Sequence, residues 1–208
     1  MRSSSLWYKN AVFYQVYVRA YFDSNGDGHG DIQGVTQKLD YLQDLGIDCI
    51  WLMPVYPSPL KDDGYDIADY YGVLREYGSI DDLRELVEAA HQRGIYVITD
   101  LVLNHTSDQH PWFQAALQDQ SAPSADYFTF REHPHAYEAW LGVRSLPKFN
   151  YRSQDLRDAM YGPGKSVLRH WLRPPFSIDG WRLDVANMLA RQGADQLGLE
   201  VGRQIRLA

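Results

Sequence analysis

The stretch SIDDLRELVEAAHQRGIYVITDLV, residues 79–102, decides the fold class, because it places a capped helix directly before a buried strand. Ser79 and Asp82 have the spacing of a capping box, which begins a helix, and Gly94 is typical of the residue that ends one. Apolar side chains recur at helical spacing at Leu83, Leu86, Val87 and Ala90. YVITDLV is a continuous β-rich run of the kind found in parallel strands that are buried on both faces.

Outward from this stretch, the same alternation of apolar strands and amphipathic helices recurs on both sides. Strands are predicted at about residues 11–18, 49–54, 96–102 and 178–185. Helices are predicted at residues 34–46 and 79–94, over 153–172 with an interruption at GPG, and from about residue 193. Alternation at this spacing predicts βαβ units and a parallel sheet. The long segment between the third strand and the third helix has no periodicity, which is typical of a functional loop or an inserted subdomain.

The composition is that of a globular domain and argues against two classes of partner. The chain has 208 residues, 45% hydrophobic and 23% charged, enough for one domain with a real core. The net charge of −7 and the lack of a basic block argue against nucleic acid and against an anionic membrane. Cys49 lies in an apolar run, so we expect a buried thiol and no disulfide. The start, MRSSSLWYKN, has no apolar signal core, and no apolar run approaches about 18 residues, so we expect a cytoplasmic protein.

Residues 23–31, DSNGDGHGD, begin like an EF-hand calcium loop. Acidic or amide side chains stand at loop positions one, three and five, and a glycine stands at position six. An EF-hand also needs a bidentate Glu at position twelve and flanking helices, but that position is Gly34 and a predicted strand precedes the loop. The pattern therefore argues against a calcium sensor. It leaves open a metal site on another scaffold or a metal-free polar turn.

Polar side chains interrupt the apolar runs where the third and fourth strands end, in DLVLNH (residues 100–105) and GWRLDV (residues 180–185). Arg182 and Asp184 are two positions apart, so on a strand they face the same side. An Arg beside a carboxylate lowers the pKa of that carboxylate and keeps it ionised. An ionised Asp at the carboxyl end of a barrel strand is what a covalent nucleophile requires. A purely structural Arg–Asp pair is the alternative.

Six segments resemble the α-amylase family of glycoside hydrolases, glycoside hydrolase family 13, and they occur in the family's order. They are YQVYVRAYFDSNGDGHGD, GIDCIWLMPVYPSP, DDGYDIADYY, DLVLNHTSDQHPWF, SLPKFNY and GWRLDVAN, which together cover nearly the whole chain. The resemblance implies an α/β fold, the N-terminal half of a (β/α)8 TIM barrel with about four βα units and a short inserted subdomain after the third strand. We predict residues 1–103 as the first barrel units, 104–152 as the insertion and 153–208 as a truncated continuation of the barrel.

The resemblance also implies roles for residues at the strand ends. Asp184 matches the catalytic nucleophile, which forms a glycosyl-enzyme ester in a retaining mechanism. Arg182 matches the Arg that keeps this nucleophile ionised. The implied substrate-binding residues are Asp62, Tyr65, Asp100, Asn104 and His105.

Within that set, His105 would hydrogen-bond the sugar at the cleavage subsite, with Asn104 and Asp100 as its supports. Tyr65 would be an aromatic platform under that sugar, although it could also belong to the core. Asp62 would hold hydroxyl groups at the non-reducing end, and the neighbouring Asp is an alternative for this role.

For the loop at residues 23–31, the resemblance is to oligo-1,6-glucosidases and trehalose synthases, in which the same D-x-N-x-D-G-x-G-D run surrounds a structural calcium ion. It implies that Ca²⁺ is bound by the side chains of Asp23, Asn25, Asp27 and Asp31 and by the backbone carbonyl of His29. Oxygen-only ligands suit a hard cation of this kind. The ion would fix the loop and take no direct part in catalysis.

The function implied is a retaining α-glycoside hydrolase or transglycosylase that acts on α-1,4- or α-1,6-linked gluco-oligosaccharides. The N-terminal half resembles α-glucosidases, oligo-1,6-glucosidases and trehalose synthases, whereas SLPKFN resembles neopullulanases and maltogenic amylases. The family's acid/base Glu follows a fifth strand, so we expect this chain to stop before it and to need a C-terminal half or a dimer partner. Glu200 is expected on an outer helix. A non-catalytic sugar-binding or interaction module of the same fold is the alternative.

Overall fold

The computed structural model describes residues 6–208; the first five residues, on which the expectation of no signal peptide partly rests, lie outside the described residues. The strands are β1 (Phe13–Val16), β2 (Cys49–Leu52), β3 (Tyr96–Leu101), β4 (Phe130–Glu132), β5 (Ala136–Tyr137), β6 (Gly180–Leu183), β7 (Arg191–Gln192) and β8 (Asp195–Gln196). The helices are α1 (Val18–Tyr21), α2 (Ile32–Gln37), α3 (Leu39–Asp44), α4 (Ile80–Gln92), α5 (Pro111–Gln118), α6 (Gln154–Tyr161), α7 (Val167–Leu172) and α8 (Gly198–Leu207). None of the helices in residues 6–208 combines the length and apolar character needed to cross a membrane.

The four long strands form one sheet in the order β1, β2, β3, β6. β1 runs parallel to β2, with Val16 opposite Leu52, and β2 runs parallel to β3, with Leu52 opposite Thr99. These strands follow one another along the chain and are also neighbours in the sheet, as successive strands of a (β/α)8 barrel are. The predicted fold class, about four βα units from the N-terminal half of such a barrel, is confirmed.

Helix α4 forms as its sequence predicts. The Ser79 hydroxyl accepts a hydrogen bond from the Asp82 backbone N–H, and the Asp82 carboxylate accepts one from the Ser79 N–H at 2.7 Å, which completes the capping box. The apolar stripe is buried at Leu83, Leu86, Val87 and Ala90. Cys49 in β2 is fully buried, as expected, and this burial raises the pKa of its thiol.

Strand β1 is shorter than the predicted 11–18. Its pairing with β2 ends at Val16, because β2 ends at Leu52 and the chain then continues into Pro54, which has no N–H for a ladder. With no strand left to pair with, the chain turns at Val18 into the short helix α1.

Two helix predictions also need correction. The helix predicted over 34–46 is divided into α2 and α3 at Lys38, and it begins earlier, at Ile32, because the Asp31 side chain caps it by accepting from the Gly34 N–H. The last helix begins at Gly198 and not near residue 193. The hairpin of β7 and β8 occupies the intervening residues and turns at Gly193, whose φ of +55° suits glycine.

The chain divides into two compact units, described here separately. The first comprises residues 6–55, 73–100 and 174–182 of the described chain, and holds most of the parallel sheet with α1 to α4. The second comprises residues 56–72, 101–173 and 183–208. The domain boundaries at residues 103 and 152 remain predictions.

The second unit has an aromatic core and contains the insertion. Tyr56, Tyr70 and Trp171 are buried together, and the Trp171 indole N–H donates to the Tyr70 carbonyl at 2.9 Å. The insertion carries α5 and the β4–β5 hairpin, so it has secondary structure of its own. Its end returns to its beginning, because Lys148 forms an antiparallel bridge with His105.

Candidate active site

In the first unit, the structure pairs Arg182 with Asp100, whereas the sequence predicted Arg182 beside Asp184 and Asp100 as a support for His105. Asp100, at the end of β3, accepts from the Arg182 guanidinium at 2.6 Å and from the Trp51 indole N–H at 2.7 Å. The Asp100 side chain is fully buried and that of Arg182 is 36% exposed. The Arg182 guanidinium also lies 4.9 Å from the centre of the Trp51 ring, within cation–π range. The role of Arg182 toward Asp184 remains a prediction.

Trp51 is therefore part of this cluster, although the sequence did not single it out. Because Trp51 lies within the apolar run of β2, the sequence gives it the same appearance as a core residue. Only the adjacency of β2, β3 and β6 in the sheet places its indole against both the buried carboxylate and the guanidinium.

In the second unit, Asn104 and His105 are almost fully buried in the turn that follows β3. The Asn104 amide nitrogen lies 3.1 Å from His105 Nδ1, and Tyr70 Oη donates to the His105 carbonyl at 3.1 Å. Among residues 6–208, no hydrogen-bond partner is found for His105 Nε2 or for Asn104 Oδ1. Two buried polar atoms in one turn thus lack a partner among the described residues, although most buried polar atoms in folded proteins have one.

Burial lowers the pKa of His105 to about 4, against the opposing influence of the Asp184 and Asp66 charges and of the nearby Tyr65 backbone. The imidazole is therefore neutral at pH 7. In either neutral tautomer Nε2 can bind a hydroxyl group, since it donates in one tautomer and accepts in the other. A hydroxyl group can be the acceptor in the first case and the donor in the second.

Carboxylates surround this turn. Asp184 follows β6, is buried, and donates its backbone N–H to the Leu101 carbonyl at 3.3 Å. Partial desolvation raises the pKa of Asp62, and repulsion from Asp66, Asp184 and Asp63 raises it further. The charge of Asp184 thus acts on two of the predicted sugar contacts of this unit, Asp62 and His105.

Asp66, which the sequence did not single out, shapes the turn that carries Asp62 and Tyr65. One of its oxygens accepts from the Ser58 hydroxyl at 2.6 Å and the other from the Lys61 N–H at 2.9 Å. The Tyr65 N–H donates to the Asp62 carbonyl at 2.9 Å, which closes the turn. The turn that carries these two side chains therefore depends on the buried Asp66 carboxylate, which also accepts from the Asp62 N–H.

The loop at residues 23–31 belongs to the first unit and is held by its own side chains. Asp23 accepts from the N–H groups of Gly26 at 2.7 Å and Gly28 at 2.8 Å, which lowers the pKa of Asp23. Asn25 and Asp27 each accept from the N–H two residues later, the second of which is that of His29.

The Asp31 carboxylate differs from the others of the loop because it caps α2. It also accepts hydrogen bonds from the Ser24 N–H and hydroxyl. From residue 6 onward, no three side chains of the types His, Cys, Asp and Glu are gathered as ligands of one metal ion. The predicted set also relies on an amide and a backbone carbonyl, and calcium binding remains a prediction.

Glu200 lies in α8, as expected, and pairs with the Arg157 guanidinium at 2.5 Å. Its side chain is 50% exposed.

Comparison with known proteins identifies the family of this chain. Residues 15–197 match the family described as alpha amylase, catalytic domain. The chain is 44% identical to the trehalose synthase/amylase TreS of Mycobacterium tuberculosis, over 91% of this chain and 35% of that protein. It is 39% identical to the oligo-1,6-glucosidase of Parageobacillus thermoglucosidasius, over 89% of this chain and 36% of that protein.

Among solved structures, the trehalulose synthase MutB from Pseudomonas mesoacidophila MX-45 is similar, with a TM-score of 0.80 and 36% identity. The match covers 91% of this chain and 37% of MutB. The chain thus spans little more than a third of the length of each of these relatives. The match over residues 15–197 confirms the predicted resemblance, and the chain belongs to the α-amylase catalytic-domain family.

Proposed function

We propose that this chain carries the nucleophile and the sugar contacts of a retaining α-glycoside hydrolase or transglycosylase that acts on α-1,4- or α-1,6-linked gluco-oligosaccharides. The observation that carries the proposal is a pair of buried atoms, His105 Nε2 and Asn104 Oδ1, for which residues 6–208 provide no partner, in a turn where the charge of Asp184 acts on His105. The relatives' names, which include trehalose synthase and oligo-1,6-glucosidase, support the substrate class.

The buried pair suits a sugar better than an ion or an apolar ligand. Leaving a buried polar group unpaired costs about 1–3 kcal/mol, so a ligand that pairs with it gains affinity. Sugar hydroxyls both donate and accept, so adjacent hydroxyls of one ring would satisfy both atoms. The neutral imidazole and the nearby carboxylates disfavour an anionic ligand.

In the proposed reaction, the Asp184 carboxylate attacks the anomeric carbon of the bound sugar. A carbon–oxygen ester bond forms as the glycosidic bond breaks, and the leaving oxygen takes the bonding electron pair and a proton. Water or another sugar hydroxyl then cleaves the ester. The proton donor for the first step is not assigned to any residue of this chain.

The experiment that tests Asp184 uses α-glucosyl fluoride, because fluoride leaves without a proton from the protein. The 208-residue chain should release fluoride, and Asp184→Asn should abolish the release. Asp195→Asn is the matched control, because Asp195 is an aspartate of the same unit whose carboxylate pairs with Arg152. Release that is unchanged in Asp184→Asn would contradict the assignment.

The same experiment separates the second candidate, a non-catalytic sugar-binding module. That candidate is favoured if the chain binds glucose through His105, as judged by loss of binding in His105→Ala, but releases no fluoride. Loss of both binding and release in the parent chain would contradict both candidates.

We also propose that the loop at residues 23–31 binds a structural Ca²⁺. Its donors would be all oxygen, and Gly26 and Gly28, at φ of +83° and +94°, let the backbone wind as a cation loop requires. Three carboxylate oxygens of the loop each accept only one hydrogen bond from the described part of the chain and keep a second lone pair for a cation, namely Asp23 Oδ2, Asp27 Oδ1 and Asp31 Oδ2.

A thermal melt with Ca²⁺ or with a chelator tests this site without reference to activity. Binding at a free concentration of 100 times Kd should stabilise the chain by about 2.7 kcal/mol. Asp27→Asn should remove the response, while Asp119→Asn, in a separate polar turn, should keep it. A parent chain with equal melting temperatures in Ca²⁺ and chelator would contradict the proposal.

A further inference from the structure

Trp140 begins a short turn of the second unit whose tip is apolar and exposed. The sequence there is WLGV, and Leu141 is 75% exposed and Val143 46% exposed. Trp140 itself is partly exposed. Arg144, the first charged residue after the tip, folds back, because its guanidinium donates to the His135 carbonyl and lies over the Tyr137 ring. The tip therefore presents an uncharged, apolar surface.

The turn is fixed by backbone hydrogen bonds. The Trp140 N–H donates to the Leu146 carbonyl at 2.9 Å, and the Val143 N–H donates to the Trp140 carbonyl at 2.8 Å. Lys148 follows this turn along the chain, and its bridge with His105 joins the turn to the segment that carries the proposed sugar contacts. The turn and His105 are therefore parts of one hydrogen-bonded backbone structure.

The Trp140 and His105 rings are stacked. Their centres are 6.1 Å apart and their planes differ by 19°, which is an offset parallel arrangement. The indole thus lies beside the ring whose Nε2 has no protein partner among the described residues. A sugar held at Nε2 would have its neighbouring ring in an oligosaccharide close to the indole and the apolar tip.

We propose that Trp140, with Leu141 and Val143, is a platform for a second sugar ring, next to the ring held at His105, and that it sets a preference for oligosaccharides over glucose. The chemistry fits, because a pyranose presents polar edges to groups such as His105 and an apolar C–H face to an aromatic ring. This inference rests on the proposed sugar site.

The test is equilibrium binding of glucose and of maltotriose to the full chain by calorimetry, which needs no turnover. The parent chain should bind maltotriose more tightly than glucose. Trp140→Ala should weaken maltotriose binding by about two- to twelve-fold, the range that a single aromatic contact supplies, and should leave glucose binding unchanged. Trp140→Phe should restore most of the difference. Leu199→Ala is the control, because Leu199 is also exposed in this unit but lies on α8.

The outcomes separate this inference from the proposed function. If His105→Ala changes the affinity for neither sugar, or the parent chain binds neither, the sugar site itself is wrong and the platform falls with it. If His105→Ala weakens both sugars but Trp140→Ala leaves the maltotriose-to-glucose ratio unchanged, the platform alone is overturned. Equal weakening of both sugars by Trp140→Ala would also overturn it, since Trp140 would then only support His105. If Trp140→Ala does not fold, Leu141→Ser with Val143→Ser, both at the exposed tip, makes the same test.

Discussion

The pair formed by Asp100 and Arg182 should stabilise the chain far more than an exposed pair with nearly the same hydrogen-bond distance. The Asp100 side chain is fully buried and accepts from Arg182 at 2.6 Å. The Asp40 side chain is 79% exposed and accepts from Arg93 at 2.7 Å. Both pairs lie in the first unit, so Asp100→Ala and Asp40→Ala compare the loss of a buried aspartate–arginine pair with the loss of an exposed one.

The expected cost of Asp100→Ala follows from the groups that lose their acceptor. The Trp51 indole N–H would lose its charged acceptor, at a cost of about 1–3 kcal/mol. Arg182 would lose its buried partner, but its side chain is 36% exposed and can recover hydration, so we assign it about 1 kcal/mol. The sum is about 3 kcal/mol, or a fall in Tm of roughly 6–12 °C for a chain of this size. Asp40→Ala should cost about 0–1 kcal/mol.

Urea unfolding followed by circular dichroism and by tryptophan fluorescence measures both variants, and coincident transitions would justify the two-state analysis. The reasoning is refuted if Asp100→Ala costs less than about 1 kcal/mol, or no more than Asp40→Ala. Asp100→Asn adds a check: it keeps an acceptor for the indole but removes the charge, so it should fall between the two.

Three further predictions concern other positions. Because the pKa of His105 is about 4 in the folded chain and near 6.5 when unfolded, the unfolded chain binds more protons between these values, and the free energy of unfolding should fall as pH falls through that window. His105→Gln should reduce this decline, as measured by urea unfolding at several pH values, and a decline identical to the parent's would contradict the assignment. Burial raises the pKa of the Cys49 thiol, so it should react with iodoacetamide only after unfolding, as followed by mass spectrometry; rapid labelling of the native chain would show that the thiol is accessible. Ser79→Ala removes the cap of α4 and should cost about 0.5–2 kcal/mol in the same unfolding assay, whereas Ser121→Ala, in an exposed turn, should cost less; equal costs would contradict the capping role.

The sequence predicts well wherever the determining interactions are local. The capping box and apolar stripe of α4 lie within one stretch of chain, and the run that forms β3 is apolar enough to indicate burial. The divided helix at Lys38 and the hairpin of β7 and β8 were missed. The Asp31 side chain caps α2 and also accepts a hydrogen bond from the Ser24 hydroxyl. In the hairpin, the Arg191 carbonyl of β7 accepts a hydrogen bond from the Lys148 ammonium. The Asp31 cap is a local contact that the sequence prediction missed, whereas the contact of Lys148 with Arg191 joins residues 43 positions apart.

The residues of the candidate site also divide into those that the sequence could predict and those that it could not. Asp100 and Arg182 could be proposed from their positions at strand ends, because parallel strands bring their carboxyl ends to one edge of a sheet. The two tryptophans could not. Trp51 has the appearance of a core residue, and Trp140 lies in a segment without periodicity, so neither has a local signal that distinguishes stacking on a functional group from packing.

The bridge between His105 and Lys148 has a consequence for how this domain can change. The Thr106 N–H donates to the Pro147 carbonyl at 3.1 Å, and the Phe149 N–H donates to the Asn104 carbonyl at 3.0 Å, so the two ends of the insertion are joined whatever lies between them. Doubling the length of a flexible loop costs only about 0.6 kcal/mol in closure entropy. By this entropic measure alone, the length of the segment between Ser107 and Leu146 is free to change at little cost. Its aromatic rings constrain it more, because Trp112 packs on Tyr70 and Phe128 packs on Phe149, so a change in length that keeps these contacts would leave the backbone around His105 in place.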